Sequence, residues 1–285
     1  MIKADLHMHS YYSDGYLSPS EVVRKQKRAG MQVIALTDHN SVKGVEEAMN
    51  AGKRLGIRVI PAVELTGDDG EILVYFINPQ SRELAKFARK CAGYEHEKAK
   101  LLLSVLQKDG HDVSFKEMKK LFPNSINNYN LGHFKMYLRF KRWTSENIKK
   151  IIIRKKAKLS IGKVKSKRVS FLEIVRFSHR IDGVPVIAHP WFSKKTIFSD
   201  KKMKQLIDAG LKGLELDNGD RDTWGRDEKT VKRIRQLAKK YGLVLTKGTD
   251  NHSIPWMLGK GHLMGYTFCS ERTVRKLEKI KKANT

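Results

Sequence analysis

The sequence predicts an α/β fold, a (β/α)-type barrel interrupted by a helical insertion. Three observations predict it. Short apolar, β-branched runs alternate with helical patterns near both ends of the chain. The alternation breaks between about Arg82 and Phe171. Five of the seven apolar runs end in His, Asp or Glu, and barrels of this class gather their chemistry at the carboxyl ends of the strands.

The expected strands are Ile2–Leu6, Val33–Leu36, Val59–Val63, Ile72–Ile77, Pro185–Ala188, Gly213–Leu216 and Leu243–Thr246. A helix is expected after Ser18-Pro19-Ser20-Glu21, with Ser18 as N-cap and Pro19 at the first helical position, where its missing N–H is not needed. A second runs from about Val42 to Leu55 and stops at Gly56. Strand–helix alternation at this spacing implies a parallel sheet with crossover helices. The organisation expected is residues 1–80 as the first part of the barrel, 81–170 as a helical basic insertion and 171–285 as the second part.

With 40% hydrophobic residues over 285 positions, the chain can bury a sizeable core, which excludes disorder throughout. No apolar run reaches the length of about eighteen residues that suggests a membrane span. The first residues, MIKADLHMHSYYSDG, contain no signal-peptide stretch. Cys91 and Cys269 have no paired spacing, so neither a disulfide framework nor a Cys-rich zinc site is expected. A soluble, cytoplasmic protein is the expectation. The net charge is +27, and Lys135–Arg168 alone holds fourteen Lys or Arg against one acid, Glu146. Such clustering points to polyanions, nucleic acid above all. Trp143, Trp191, Trp224 and Trp256 could stack bases, although scattered tryptophans are more often partial core residues. Asp220, Arg221 and Asp222 fall in a polar loop that could line the barrel mouth.

The strand ends carry the chemistry. His7 and His9 are two apart and so share a face of the first strand. Asp14 follows in a Ser-Asp-Gly turn; Asp38-His39 closes the second strand, Glu64 the third, His189 the fifth, and Asp250-Asn251-His252 follows the last. Imidazole nitrogen and carboxylate oxygen without thiolate suit Mn²⁺, Fe²⁺ or Zn²⁺.

In DLHMHS (5–10), SDG (13–15), ALTDHN (35–40), AVE (62–64), AHP (188–190) and GTDNH (248–252), the sequence resembles the PHP (polymerase and histidinol phosphatase) family of metal-dependent phosphoesterases. It is most similar to the branch that dephosphorylates nucleoside 3′,5′-bisphosphates and trims RNA 5′ ends. The resemblance implies a distorted (β/α)7 TIM-like barrel. It implies two or three divalent ions per chain, Mn²⁺ first, with Zn²⁺ or Fe²⁺ as alternatives. One ion would take His7, His9, Glu64 and Asp250. A second would share Glu64 and add His189, and a third would take Asp14, His39 and His252. In that branch a His on the strand after the Glu completes the second site; Leu73 stands there in this sequence, so that site is expected to be depleted. His133, in Leu131-Gly132-His133-Phe134, matches a family His that contacts substrate phosphate.

The function expected is hydrolysis of phosphoester bonds of nucleotides or short RNA by metal-activated water. Two alternatives stay open: a small-molecule phosphomonoesterase of the histidinol-phosphatase kind, and a nucleic-acid-binding protein with an impaired metal site. Protein partners are not indicated.

Overall fold

The computed structural model describes residues 2–158, 164, 167–192, 199–217, 228–253 and 267–284. Its first part runs β1 (Lys3–Asp5), α1 (Pro19–Arg28), β2 (Val33–Leu36), α2 (Val45–Leu55), β3 (Arg58–Thr66) and β4 (Glu71–Tyr75). Four helices follow: α3 (Arg82–Lys108), α4 (Phe115–Leu121), α5 (Leu131–Phe140) and α6 (Ser145–Lys158). The chain then returns through α7 (Phe171–Arg180), β5 (Val184–Ile187), α8 (Asp200–Asp208), β6 (Gly213–Asp217), α9 (Glu228–Tyr241), β7 (Val244–Lys247), β8 (Cys269–Ser270) and α10 (Glu271–Asn284).

Local chemistry explains several element ends. Ser18 Oγ accepts the Glu21 N–H while the Glu21 carboxylate accepts the Ser18 N–H, so α1 starts in a capping box. Helix α2 ends at Gly56, whose φ of 63° is the left-handed cap.

The strands form one sheet in the order β7-β6-β5-β4-β3-β2-β1-β8. The ends then meet: Leu6 N–H donates to Lys247 O (3.3 Å) and His9 N–H to Asn251 O (3.0 Å), bringing the segment after β1 beside the segment after β7. This nearly closes a barrel. The expected uniformly parallel sheet needs one correction. β4 runs antiparallel to both β3 and β5, because only the short segment between Thr66 and Glu71 joins β3 to β4. A hairpin of that length reverses the chain, whereas a parallel pair requires a crossover. The two-residue β8, antiparallel to β1, is too short to show a sequence period.

Leu6, Ala35, Ile60, Ala62, Leu73, Tyr75 and Val186 belong to the cluster inside the barrel, and the Tyr75 hydroxyl donates to Leu6 O across it (3.0 Å). Helices cover the outside. The insertion has a core of its own, with Leu102, Leu106, Met118, Phe134 and Tyr137. Helix α3 joins the two: Leu84, Ala88 and Cys91 pack with the barrel's outer layer, and Leu102, Leu103 and Leu106 with the insertion. The boundary expected at residue 81 therefore falls just before a helix shared by both bodies. Among the described residues, no helix is long and apolar enough to cross a membrane.

Candidate metal centre

Strand alternation aims the first pair. Met8 is buried on the outer side with Val22, Val23 and Ile34, which turns His7 and His9 to the inner side. Both are fully buried. Beneath them passes Gly248, where a Cβ would collide with the His7 backbone and Cβ; only glycine lets the β7 end approach so closely. His189 and Asp250 adopt left-handed φ values of 25° and 49°, a strained state for non-glycine residues. Each is held there by its own N–H: His189 N donates to Glu215 Oε2 (2.7 Å) and Asp250 N to His7 O (2.8 Å).

The side chains converge. His7 Nε2 lies 3.2 Å from Glu64 Oε2 and 3.4 Å from Asp250 Oδ1. His9 Nε2 lies 3.4 and 3.1 Å from the same two atoms. Donor atoms at metal bonds of about 2.0–2.1 Å in a tetrahedron stand about 3.4 Å apart, so these four match the spacing of a single ion's ligands. His189 Nε2 lies 3.1 Å from Glu64 Oε1 and 3.3 Å from Glu71 Oε2. His39 stands between groups, with Nδ1 3.1 Å from Glu64 and 3.2 Å from Glu71, and Nε2 3.7 Å from Asp14. His252 Nε2 approaches Asp14 Oδ1 at 3.2 Å. The rings of His39 and His252 stack on His9, at 4.5 and 4.2 Å.

The proton accounting fits metal. His7 has a carboxylate at each ring nitrogen, Glu215 at 3.0 Å and Glu64 at 3.2 Å. Such a ring must be doubly protonated or must give one lone pair to a cation. His9 Nδ1 and His39 Nδ1 are buried without a hydrogen bond of acceptable geometry, the cost that a bound ligand removes. Burial pulls the His189 imidazole down, but the Glu64 hydrogen bond and the charges of Glu64, Glu71 and Asp250 outweigh it and lift it to about 9. Burial, reinforced by the His252 and His39 cations, drives His9 down to about 3. Burial would raise Asp14, yet His252 and His39 hold its carboxyl well below the usual range. The ring of His9 is thus neutral, as a metal ligand must be.

Four carboxylates take roles that the strand-end pattern did not assign. Glu71 opens β4 and faces the centre, within reach of His39 and His189. Leu73, two residues on, packs inside the barrel, and Glu71 stands within reach of His189, which with Glu64 is expected at the second ion. Glu215, on β6, is buried and fixes both His7 Nδ1 and the His189 backbone. Asp5 accepts from Thr249 N (2.9 Å), Thr249 Oγ1 (2.7 Å) and Gln26 Nε2 (2.7 Å), tying β1 to the loop that carries Asp250. Asp38, adjacent to His39, points away from the centre and accepts from Ser10 N, Ser10 Oγ and Ser13 Oγ at 2.6–2.7 Å, shaping the turn that presents Asp14. The available signal was a buried-strand acid: Glu215 sits mid-run in Gly213–Leu216, where an unpaired charge is untenable.

His133, expected at the substrate phosphate, is enclosed by the protein. It is 0% exposed, with Nε2 2.8 Å from Ser13 O and 2.9 Å from Ser125 Oγ and Nδ1 accepting from Asn130 N–H (3.2 Å). Burial lowers it to about 4, against the charge of Asp14, and both ring nitrogens already have partners within the protein, Nδ1 also lying 2.8 Å from Asn130 Oδ1. It clamps the insertion onto the Asp14 turn. Asn130, the α5 N-cap, donates to Asp14 Oδ2 (3.0 Å), and a Cβ at Gly132 would overlap the Asp14 carboxylate. Trp191 follows His189 at 6.4 Å between rings. Trp224, Trp256, Asp220, Arg221 and Asp222 lie outside the described residues.

Comparison with known proteins agrees with this geometry. A PHP domain model matches residues 5–164. The chain is 24% identical over 254 residues to a 5′-3′ exoribonuclease of Haemophilus influenzae, covering 88% of this chain and 90% of that protein. It is 25% identical over 258 residues to a 3′,5′-nucleoside bisphosphate phosphatase of Chromobacterium violaceum, covering 89% and 88%. A solved Bifidobacterium adolescentis protein assigned to the metal-dependent phosphoesterases superimposes with a TM-score of 0.82 at 20% identity, covering 97% and 96% of the two chains, which shows a shared fold.

Proposed function

The chain belongs to the PHP domain family, and on that premise we propose that it is a metal-dependent phosphoesterase hydrolysing phosphoester bonds of nucleotides or short RNA. The observation that carries this reading is the convergence of His7, His9, Glu64 and Asp250 at ligand spacing around one point. The substrate class is supported by the names of the similar proteins, an exoribonuclease and a nucleoside bisphosphate phosphatase, and by the basic insertion.

His7, His9, Glu64 and Asp250 would hold one divalent ion. Glu64 and His189, with Glu71 beside them, would hold a second, and Asp14, His39 and His252 a third. The nitrogen and oxygen donors suit Mn²⁺, Zn²⁺ or Fe²⁺, and the family resemblance puts Mn²⁺ first. Bound divalent ions supply Lewis acidity toward the phosphoryl oxygens and make water nucleophilic at neutral pH. The protein's own part is positional. Glu215 orients His7 and His189 together, and Asp38 and the insertion orient Asp14. The buried, free Cys91 and Cys269 fit a cytoplasmic location.

The test is phosphate or nitrophenol release from a nucleoside 3′,5′-bisphosphate, a 5′-phosphorylated oligoribonucleotide, bis-p-nitrophenyl phosphate and histidinol phosphate, each with Mn²⁺, Zn²⁺ or Fe²⁺. Turnover of the first two above the last supports the reading. Turnover of histidinol phosphate alone would favour a small-molecule phosphatase, and no turnover at all would overturn the assignment.

A further inference from the structure

The insertion carries a cleft that the metal centre does not use. It is an open groove of about 410 Å³ lined by His111, Arg142, Trp143, Asn147, Lys150 and Ile151. Trp143 packs against the insertion core yet stays partly exposed. The His111 ring meets it edge-on at 4.9 Å, and Arg139 Nη1 donates to its carbonyl (2.8 Å). The indole is therefore a fixed platform.

Arg142 occupies an unusual position. Trp143 N–H donates to Leu138 O (3.0 Å) and Arg142 N–H to Arg139 O (2.9 Å), the paired bonds of a helix end that favours glycine. Arg142 accordingly has a φ of 63°. A cation stands where the backbone would prefer no side chain. It is exposed and makes no ion pair among the described residues. Lys150 pairs with Glu146 at 2.7 Å, both exposed, a contact weak enough for a phosphate to replace. Asp112, beside His111, and Glu117 are already held by Lys141 at 2.6 and 3.3 Å.

A fixed aromatic face beside Arg142 and a weakly paired Lys150 is the chemistry that takes a base and its phosphates from a single strand. Helix α5 connects this cleft to the catalytic region: Asn130 at its start touches Asp14, and Arg142 lies just past its end. Twelve residues at about 1.5 Å each separate the two by about 18 Å. A stacked strand rises about 3.4 Å per nucleotide, so about five nucleotides span that distance.

We propose that this cleft is a distal subsite for single-stranded RNA, with a base on Trp143 and phosphates on Arg142 and Lys150, while the scissile bond lies at the metal centre. The inference rests on the phosphoesterase reading and adds a consequence, that affinity depends on substrate length. The test uses the full chain and labelled oligoribonucleotides of three and ten nucleotides. Binding is read by fluorescence anisotropy and turnover by kcat/KM, with a nucleoside 3′,5′-bisphosphate as the short control. The variants are Arg142→Gly with Lys150→Gln, and Trp143→Leu. Glycine suits the left-handed backbone, so the first variant folds. Wild type is expected to bind the ten-mer about tenfold more tightly than the trimer, and each variant to lose most of that advantage while bisphosphate turnover stays within twofold. The double variant should also flatten the slope of log affinity against log salt by about 1.4, two single-strand phosphate contacts. Equal affinity of wild type for both lengths, or equal weakening of both by the variants, would overturn the proposal. Length-dependent binding without hydrolysis of any nucleotide would support the subsite and count against the phosphoesterase reading.

Discussion

Nε2 of His133 and the carbonyl oxygen of Ser13 lie 2.8 Å apart across 120 residues of sequence. That contact makes the insertion part of the catalytic frame, because Asp14 is the next residue. His133→Ala is expected to remove one of the two donors to the buried Ser13 carbonyl, leaving Ser125 Oγ at 2.9 Å, a cost of about 0.5–1.5 kcal/mol. The expected result is a lower Tm and a lower kcat with KM for small substrates unchanged. A rise in KM at unchanged Tm would mean that His133 touches substrate after all.

The four residues proposed for the first ion are expected to act as a unit. His7→Ala, His9→Ala and Asp250→Ala are each expected to lose bound metal and at least about 100-fold in activity together, since losing one of four donors opens the site. Metal analysis alongside kinetics checks this; activity within twofold of wild type in any of the three would refute the assignment.

Glu71 and Leu73 separate two accounts of the second ion. Glu71→Gln is expected to lower metal content or raise the metal concentration needed for half-maximal activity by about tenfold. Leu73→His places a polar ring in the barrel interior beside Leu6 and Tyr75 and is expected to lower Tm without raising metal content. If instead Leu73→His binds an additional ion, Leu73 rather than Glu71 marks the missing ligand position.

Glu215 touches two ligands without being one. Glu215→Gln is expected to weaken metal binding by about 10–100-fold, because His7 loses a charged acceptor at Nδ1. Unchanged affinity, measured by competition with a chelating dye, would reduce Glu215 to a packing role.

Metal-free protein should respond to pH in a stated direction. The His189 imidazole, lifted from 6.5 to about 9, binds a proton in the folded state that the unfolded chain releases near its ordinary value. This contribution to stability is complete below about pH 6.5 and disappears as pH rises through about 9. Metal requires the neutral ring, so metal affinity should rise over the same window, by at most about tenfold per pH unit for each proton displaced. Thermal melts of chelated and Mn²⁺-loaded protein across that window check both signs; metal affinity that is flat in pH would contradict them.

The sequence by itself determined the elements and the chemistry at their ends. Short apolar runs marked seven strands, and the residue two places on from His7 shares its face whatever the rest of the chain does. Composition determined the charge and its concentration in the insertion. The short link between Thr66 and Glu71 reverses β4 against β3, and tertiary structure decided that β5 pairs antiparallel on its other side. It also decided the work of the buried acids. Glu71, Glu215, Asp5 and Asp38 each read locally as an ordinary strand or turn residue. What distinguishes them is a partner far along the chain: Glu215 meets His189 across 26 residues, Asp38 meets Ser10 across 28, and Asp5 meets Thr249 across 244. Strand order brings the first two pairs together and closure of the barrel the third, and the desolvation of each carboxylate is then offset by the donors it finds there.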